Sequence, residues 1–275
     1  MSEHYKKTEM NRFSSNIISC SAGFSKIIKT LSLLVLMLLP GFSFAQTFEG
    51  SVHYLNTENI RKKFAALDYL NQGSIADLAN GYIDTYRMGN ISTNFSMLYL
   101  NASKTKYVEN EENENVFGYE KSEFTITRDF SKHTLHDLIE VHGKTYIIED
   151  TLKAPRWLIR NDMKEVAGHV CMNAFFNDTL KHQQIIALYA LDIPVAAGPE
   201  RFFGLPGLIL EVDINDGALV ITADKIEGKK LTTELDFPKK AKGKKIREKD
   251  YIEILRKIIA DNRKQHNPLF NGLWY

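Results

Sequence analysis

The sequence predicts a mainly β fold: a curved, bowl-like antiparallel sheet built as a β-meander, with a helical insertion near the N-terminus and a C-terminal helix. Three observations carry this. Short runs rich in Val, Ile, Tyr, Phe and Thr recur between residues 95 and 223, separated by polar turns, which is the pattern of successive strands. Two stretches, near 60–79 and 248–263, switch to helical spacing of their apolar residues. What remains after an N-terminal leader is long enough to bury one substantial core.

The leader comes first. Lys26 and Lys29 precede an apolar run from Leu31 to Leu39, Pro40 and Gly41 interrupt it, and Ser43, Phe44 and Ala45 stand before Gln46. A charged start, an apolar middle and a small-x-small end form a signal peptide, with cleavage expected after Ala45. The run is about half the roughly 20 apolar residues that an anchor requires, so no transmembrane segment is expected after cleavage. The polar stretch before Lys26 is long, which leaves Met10 as an alternative start. Export across the inner membrane, to the periplasm or beyond, is the expected address.

Phe48, Val52 and Tyr54 alternate with polar residues and open the fold as a strand. A helical insert at 56–88 follows, with Ile60, Phe64, Leu67 and Leu70 on one stripe, a turn at Gly73, then Ile75, Leu78 and Ala79. Strands are expected at 97–100, 106–108, 123–127, 134–136, 144–148 and 156–159. Asn110 to Asn115 read as an acidic loop. Further strands are expected at 167–172, 184–189, 208–212 and 218–223. Tyr251, Ile252, Leu255, Ile258 and Ile259 stripe the late helix. The organisation is therefore a signal peptide at 1–45, a β-domain at 46–226 and a basic linker with a helix at 227–275.

Net charge over the whole sequence is +1, but residues 225–264 carry 14 basic and 7 acidic residues. Lys239, Lys240, Lys242, Lys244, Lys245, Arg247 and Lys249 form the densest run. No aromatic residues interleave it for base stacking, so nucleic acid is excluded as a partner and an envelope surface is the remaining candidate. After the leader, Cys171 is the only cysteine. No internal disulfide can form, and packing alone must hold the fold.

Between 157 and 226 the chain resembles the GLPGLI family. The hexapeptide Gly204, Leu205, Pro206, Gly207, Leu208 and Ile209 is present entire, preceded by Phe203 and followed by Leu210, Glu211 and Val212. Trp157, Val166 to Ala174, Ala187 to Ala190, Ile193 to Val195, and Gly198-Pro199 fall in family order. Leu188 replaces the usual tryptophan, and His169 stands where an aromatic is commoner. The resemblance implies an exported protein of a group typical of Bacteroidetes-type bacteria, without assigned chemistry. It also implies a β-rich shell similar to a module preceding the catalytic part of one bacterial peptide:N-glycanase. Read physically, the hexapeptide is a structural turn: two glycines permit angles that other residues avoid, and Pro206 fixes φ between them.

Two chemical constellations compete with a structural reading. His133, His136, Asp137, Glu140 and His142 lie within ten residues and offer nitrogen and oxygen ligands for zinc or copper. His169 and Cys171 are two apart, so on a strand they share a face and an imidazole could promote a thiolate. The serine-hydrolase elbow and the His-Glu-x-x-His signature are absent from the sequence. The reading that follows is an exported, non-catalytic binding or accessory module of the envelope, with no cofactor. It would hold a glycan, a peptide or a partner protein. Metal handling through 133–142 is the alternative, and a Cys/His enzyme comes third.

Overall fold

The computed structural model describes residues 48–67, 69, 72–87, 89–110 and 124–265. The expected leader and most of the acidic loop lie outside these residues. β1 (Gly50–Asn59) is longer than the alternation indicated, and it runs directly into α1 (Ile60–Ala65). Asn59 caps that helix, its side-chain oxygen accepting from the Lys62 amide at 3.1 Å. Ile60 and Phe64 of α1 bury against Ile75 and Ala79 of α2 (Ile75–Tyr86), giving the insert a small core of its own.

The remaining strands are β2 (Ile91–Leu100), β3 (Lys104–Glu109), β4 (Thr125–Asp129), β5 (Thr134–Val141), β6 (Lys144–Thr151), β7 (Leu158–Val166), β8 (His169–Asp178), β9 (Gln183–Ala190), β10 (Leu208–Ile214), β11 (Leu219–Gly228) and β12 (Lys244–Ile246). They form one open sheet in the order β12-β6-β5-β4-β3-β2-β1-β11-β10-β9-β8-β7. Every pairing is antiparallel except β12 with β6. From β1 to β6 the chain steps outward strand by strand. Residues 152–157 then cross to the opposite edge, and β7 to β11 step back until β11 meets β1. The predicted mainly β meander, with its helical insertion and terminal helix, is the fold observed.

One face of the sheet is apolar. Val52, Tyr54, Leu98, Tyr107, Ile126, Ala187 and Ile221 bury there together with Ile193, Val195, Ala197 and Leu205 of the loop at 191–207. Phe130, following β4, meets Phe203 of that loop at 6.1 Å between ring centroids, so the sheet curls toward this face. α3 (Glu248–Gln265) closes over the curl. Its Tyr251 and Leu255 bury against Leu135, Val141, Tyr146 and Ile148 of β5 and β6, and Leu180 of the β8–β9 turn joins the same cluster. Farther along α3, the Arg263 guanidinium lies 5.4 Å over the Tyr69 ring of the insert.

The segment expected as a basic linker lies along the opposite face instead. Its Leu231 amide donates to Glu49 Oε1 at 2.8 Å, Lys106 donates to the Asp236 carbonyl at 3.0 Å, and Phe237 stacks on His136 with centroids 3.5 Å apart. It then adds β12, a strand that three residues with two lysines could not signal. The expected boundary at 226 falls inside β11. Among the described residues, no helix is long and apolar enough to cross a membrane.

Candidate functional site

The hexapeptide turns the chain from the 191–207 loop into β10. Gly204 has φ of +93°, and a Cβ there would lie 2.5 Å from the Ala154 Cβ of the crossing segment. A Cβ on Gly207 would come within 2.1 Å of the Ala190 carbonyl oxygen. Both positions therefore exclude side chains, one by conformation and by space, the other by close backbone approach. The Leu208 and Ile209 amides donate to the Ile193 and Ala197 carbonyls, each at 2.9 Å. The buried Tyr54 hydroxyl donates to the Ile209 carbonyl at 2.6 Å. Trp157 donates its indole N–H to the Phe203 carbonyl at 2.9 Å, and its ring meets Phe176 edge-on at 4.8 Å. Leu205, Leu208 and Ile209 bury their side chains in the core.

Next to this turn lies an ionic cluster. Arg128 of β4 donates to Asp137 Oδ1 of β5, and both are buried. Arg201 approaches the other Asp137 oxygen at 3.2 Å, at an angle too poor for a good hydrogen bond, and donates to Glu248 of α3 at 2.9 Å. Arg128 and Arg201 also lie 5.7 Å and 5.3 Å over the rings of Phe203 and Tyr251. Asp137 thus joins the sheet, the loop and, through Arg201, the helix. Glu200 is buried with φ of +53°. Burial lifts its carboxyl to about 7, against the pull of Lys181 and Arg201. Burial lowers the Lys181 ammonium to about 8, with Asp178 opposing and Arg201 reinforcing the shift. A buried pair such as Arg128–Asp137 is strongly destabilising to break but contributes little net stability when intact. Two cavities, of about 310 and 200 Å³, are lined by other residues.

The five residues expected as metal ligands are not brought together. His133 and His142 occupy turns at the two ends of β5, with φ of +55° and +50°, separated by about 30 Å of strand at roughly 3.3 Å per residue. His136 faces the side of the sheet where Phe237 lies, 3.4 Å from Glu149, while Asp137 points to the core. Glu140 is exposed. Alternation along a strand, which the spacing of three left undecided, sends neighbours to opposite faces. Among the described residues, no group of three or more His, Cys, Asp or Glu side chains is placed to hold a metal.

His169 does have an orienting carboxylate, which sequence reading missed: Asp192 Oδ2 lies 2.7 Å from Nδ1. Nothing local links the two, since Asp192 follows β9. Cys171 is buried and its thiol donates to the His169 carbonyl at 3.6 Å. Burial, and then the Asp192 charge, push that thiol up to about 11. The pair is tuned away from thiolate formation.

Among the described residues, no strand pairs with the outer side of β7. Only Val166 of the nine β7 residues is buried, and Leu158, Ile159 and Met163 are exposed, Met163 by 70%. Val170 on β8 and Leu191 after β9 extend the exposed apolar set. A register shift between Arg160 and Met163 bends the strand midway.

Residues 98–211 match the model of a family described as protein of unknown function (Porph_ging). The match runs from β2 through the hexapeptide to β10. No curated protein matches the sequence. Two structures of PNGF-II, in space groups P21 and C2, are similar at a TM-score of 0.51 each, with 14% and 13% identity. Each covers 75% of this chain, whereas this chain spans only about a third of PNGF-II, 33% and 32%. An uncharacterized conserved protein from Thermus thermophilus covers 72% of the chain and 91% of its own at a TM-score of 0.35 and 6% identity. At these identities, the likeness to PNGF-II is one of fold.

Proposed function

We propose that this chain is an exported, non-catalytic accessory module of the GLPGLI type, and that it holds a partner protein along the β7 edge. One observation carries the reading: a nine-residue strand that, among the described residues, pairs on one side only and exposes Leu158, Ile159 and Met163, on a sheet whose other edge is short and basic. An exposed edge strand presents a row of backbone donors and acceptors to which another chain can add a strand. The inert Cys171 supports the non-catalytic reading, as does a family motif spent on a turn. In PNGF-II the same fold occupies about a third of a longer chain, which fits a fold that works beside other parts. Export rests on the leader, and a mature mass beginning at Gln46 checks it.

Site-specific photo-cross-linking in the envelope tests the edge. A cross-linker at Met163 should give an adduct of one defined mass, and one at Lys245 on the opposite edge should not. Equal yields at both positions, or none at Met163, would remove the proposal.

A further inference from the structure

A second surface, separate from the β7 edge, has the composition of a ligand site. α3 and the β8–β9 turn enclose a groove of about 310 Å³. Ile259 and Ala260 of the helix and Leu180 of the turn give it an apolar side. Arg256 and Arg263, two helical turns apart on one face of α3, enter the same groove, with His182 and Thr179 opposite. Among the described residues, no carboxylate lines it. Asp178, in the turn, accepts from the Leu180 and Lys181 amides at 2.8 and 3.1 Å, and Glu253 pairs with Arg256 one turn back. Those turn bonds fix the wall that carries Thr179 and His182.

We propose that this groove binds a phosphate-bearing ligand with a short apolar body. Guanidinium groups match phosphate oxygens with paired N–H donors, and Arg256 has four N–H groups besides the one it gives Glu253. At about 310 Å³ the groove is far larger than a single water site, and leaves room beside a bare ion. The apolar side accounts for the remainder, since a short alkyl segment against Ile259 and Ala260 leaves water while the phosphate stays at the arginines. The phosphate can belong to a lipid headgroup at the envelope surface or to a soluble alkyl phosphate.

Calorimetric titration of the mature chain with butyl phosphate, inorganic phosphate and butanol tests the site, alongside co-sedimentation with phosphatidylglycerol vesicles. Butyl phosphate should bind saturably with one-to-one stoichiometry and more tightly than inorganic phosphate, and butanol should not bind. Ala260→Trp, which fills the groove from an exposed position, should abolish binding, and Arg256→Gln should weaken it by about tenfold. Both variants should keep the wild-type unfolding midpoint, and Lys245→Gln, outside the groove, should bind as wild type. Vesicle binding that Ala260→Trp abolishes assigns the phosphate to a headgroup; soluble binding alone assigns it to a free ligand. Absence of saturation up to about 10 mM overturns the proposal. So does equal binding by wild type and Ala260→Trp, which would mark unlocalised charge attraction.

Discussion

The two edges of the sheet are finished in opposite ways. At the β12 edge, three residues with two lysines close the sheet, Gly243 packs against Ile147, and α3 covers the inner face through Tyr251 and Leu255. Behind that edge, Asp137 gathers Arg128 from the sheet and Arg201 from the loop. At the β7 edge a longer strand ends the sheet, and its apolar side chains stand in water. A strand of three residues with two lysines offers little to pair with, whereas β7 offers nine residues and the exposed side chains of Leu158, Ile159 and Met163, alongside four charged ones. The chain has used its charged tail to seal one side of the fold and has left the other as a surface for association.

If the sealed side is a brace, Asp137→Ala should be the most damaging change, because it leaves the buried Arg128 guanidinium without a carboxylate and Arg201 with Glu248 alone. The expected cost is about 3–5 kcal/mol in denaturant unfolding; a loss below about 1 kcal/mol would mean the cluster is ornamental to stability. Leu255→Ala removes the helix's buried contact with β5 and β6 and should cost about 2–4 kcal/mol. A drop confined to α3 melting, with the sheet transition intact, would show the helix to be a separable cover.

Glu200 gives the brace a pH dependence. Its folded value of about 7 stands above the ordinary 4.5. Its contribution is therefore fully present below about 4.5 and is lost as pH rises through about 7. The groups facing it are Lys181 on the β8–β9 turn, Arg201 beside it, and Asp137 and Arg128 on the sheet. Glu200→Gln should be more stable than wild type at pH 8, by on the order of 2 kcal/mol, with the gap closing toward pH 5. Parallel stability curves across that range would contradict the buried carboxyl. The smallest effect is expected at the β7 edge. Met163→Lys should change stability by less than about 0.5 kcal/mol, while removing the partner adduct that cross-linking from a neighbouring β7 position such as Ile159 should give.

That contrast also explains what the sequence revealed. Strands β2, β6, β9 and β10 were legible because each buries one face or both, so Leu98, Ile148, Ala187 and Val212 stand out from their neighbours. The second half of β7, Arg160 to Glu165, is exposed on both faces and carries no alternation, and β12 hides within a lysine run. α3 was visible because its stripe packs on a flat surface. In the site, the hexapeptide turn was legible from glycine and proline chemistry alone. The ionic cluster was not, because Arg128 and Asp137 meet diagonally across the β4–β5 hairpin, and Arg201 reaches them only from the 191–207 loop. A trace remained in β5: Leu135, Asp137 and Ile139 share a face, and a charge on an apolar stripe signals a buried partner. The same residue type, seen without its face, looked like a metal ligand.

The seam between the two meanders has a consequence in time. β1 stands in the middle of the sheet, yet Gly50 pairs with Leu100 on one side and with Gly228 on the other. A chain emerging from its N-terminus can assemble β1 to β6 from neighbouring hairpins as soon as Thr151 appears. It must then hold one side of its central strand open until β11 arrives. Closing so long a loop is slow, and an unpaired central strand is a hazard while it waits. The last antiparallel register to form is therefore the one in the middle, and the half-built sheet passes its most vulnerable interval with β1 as a temporary edge.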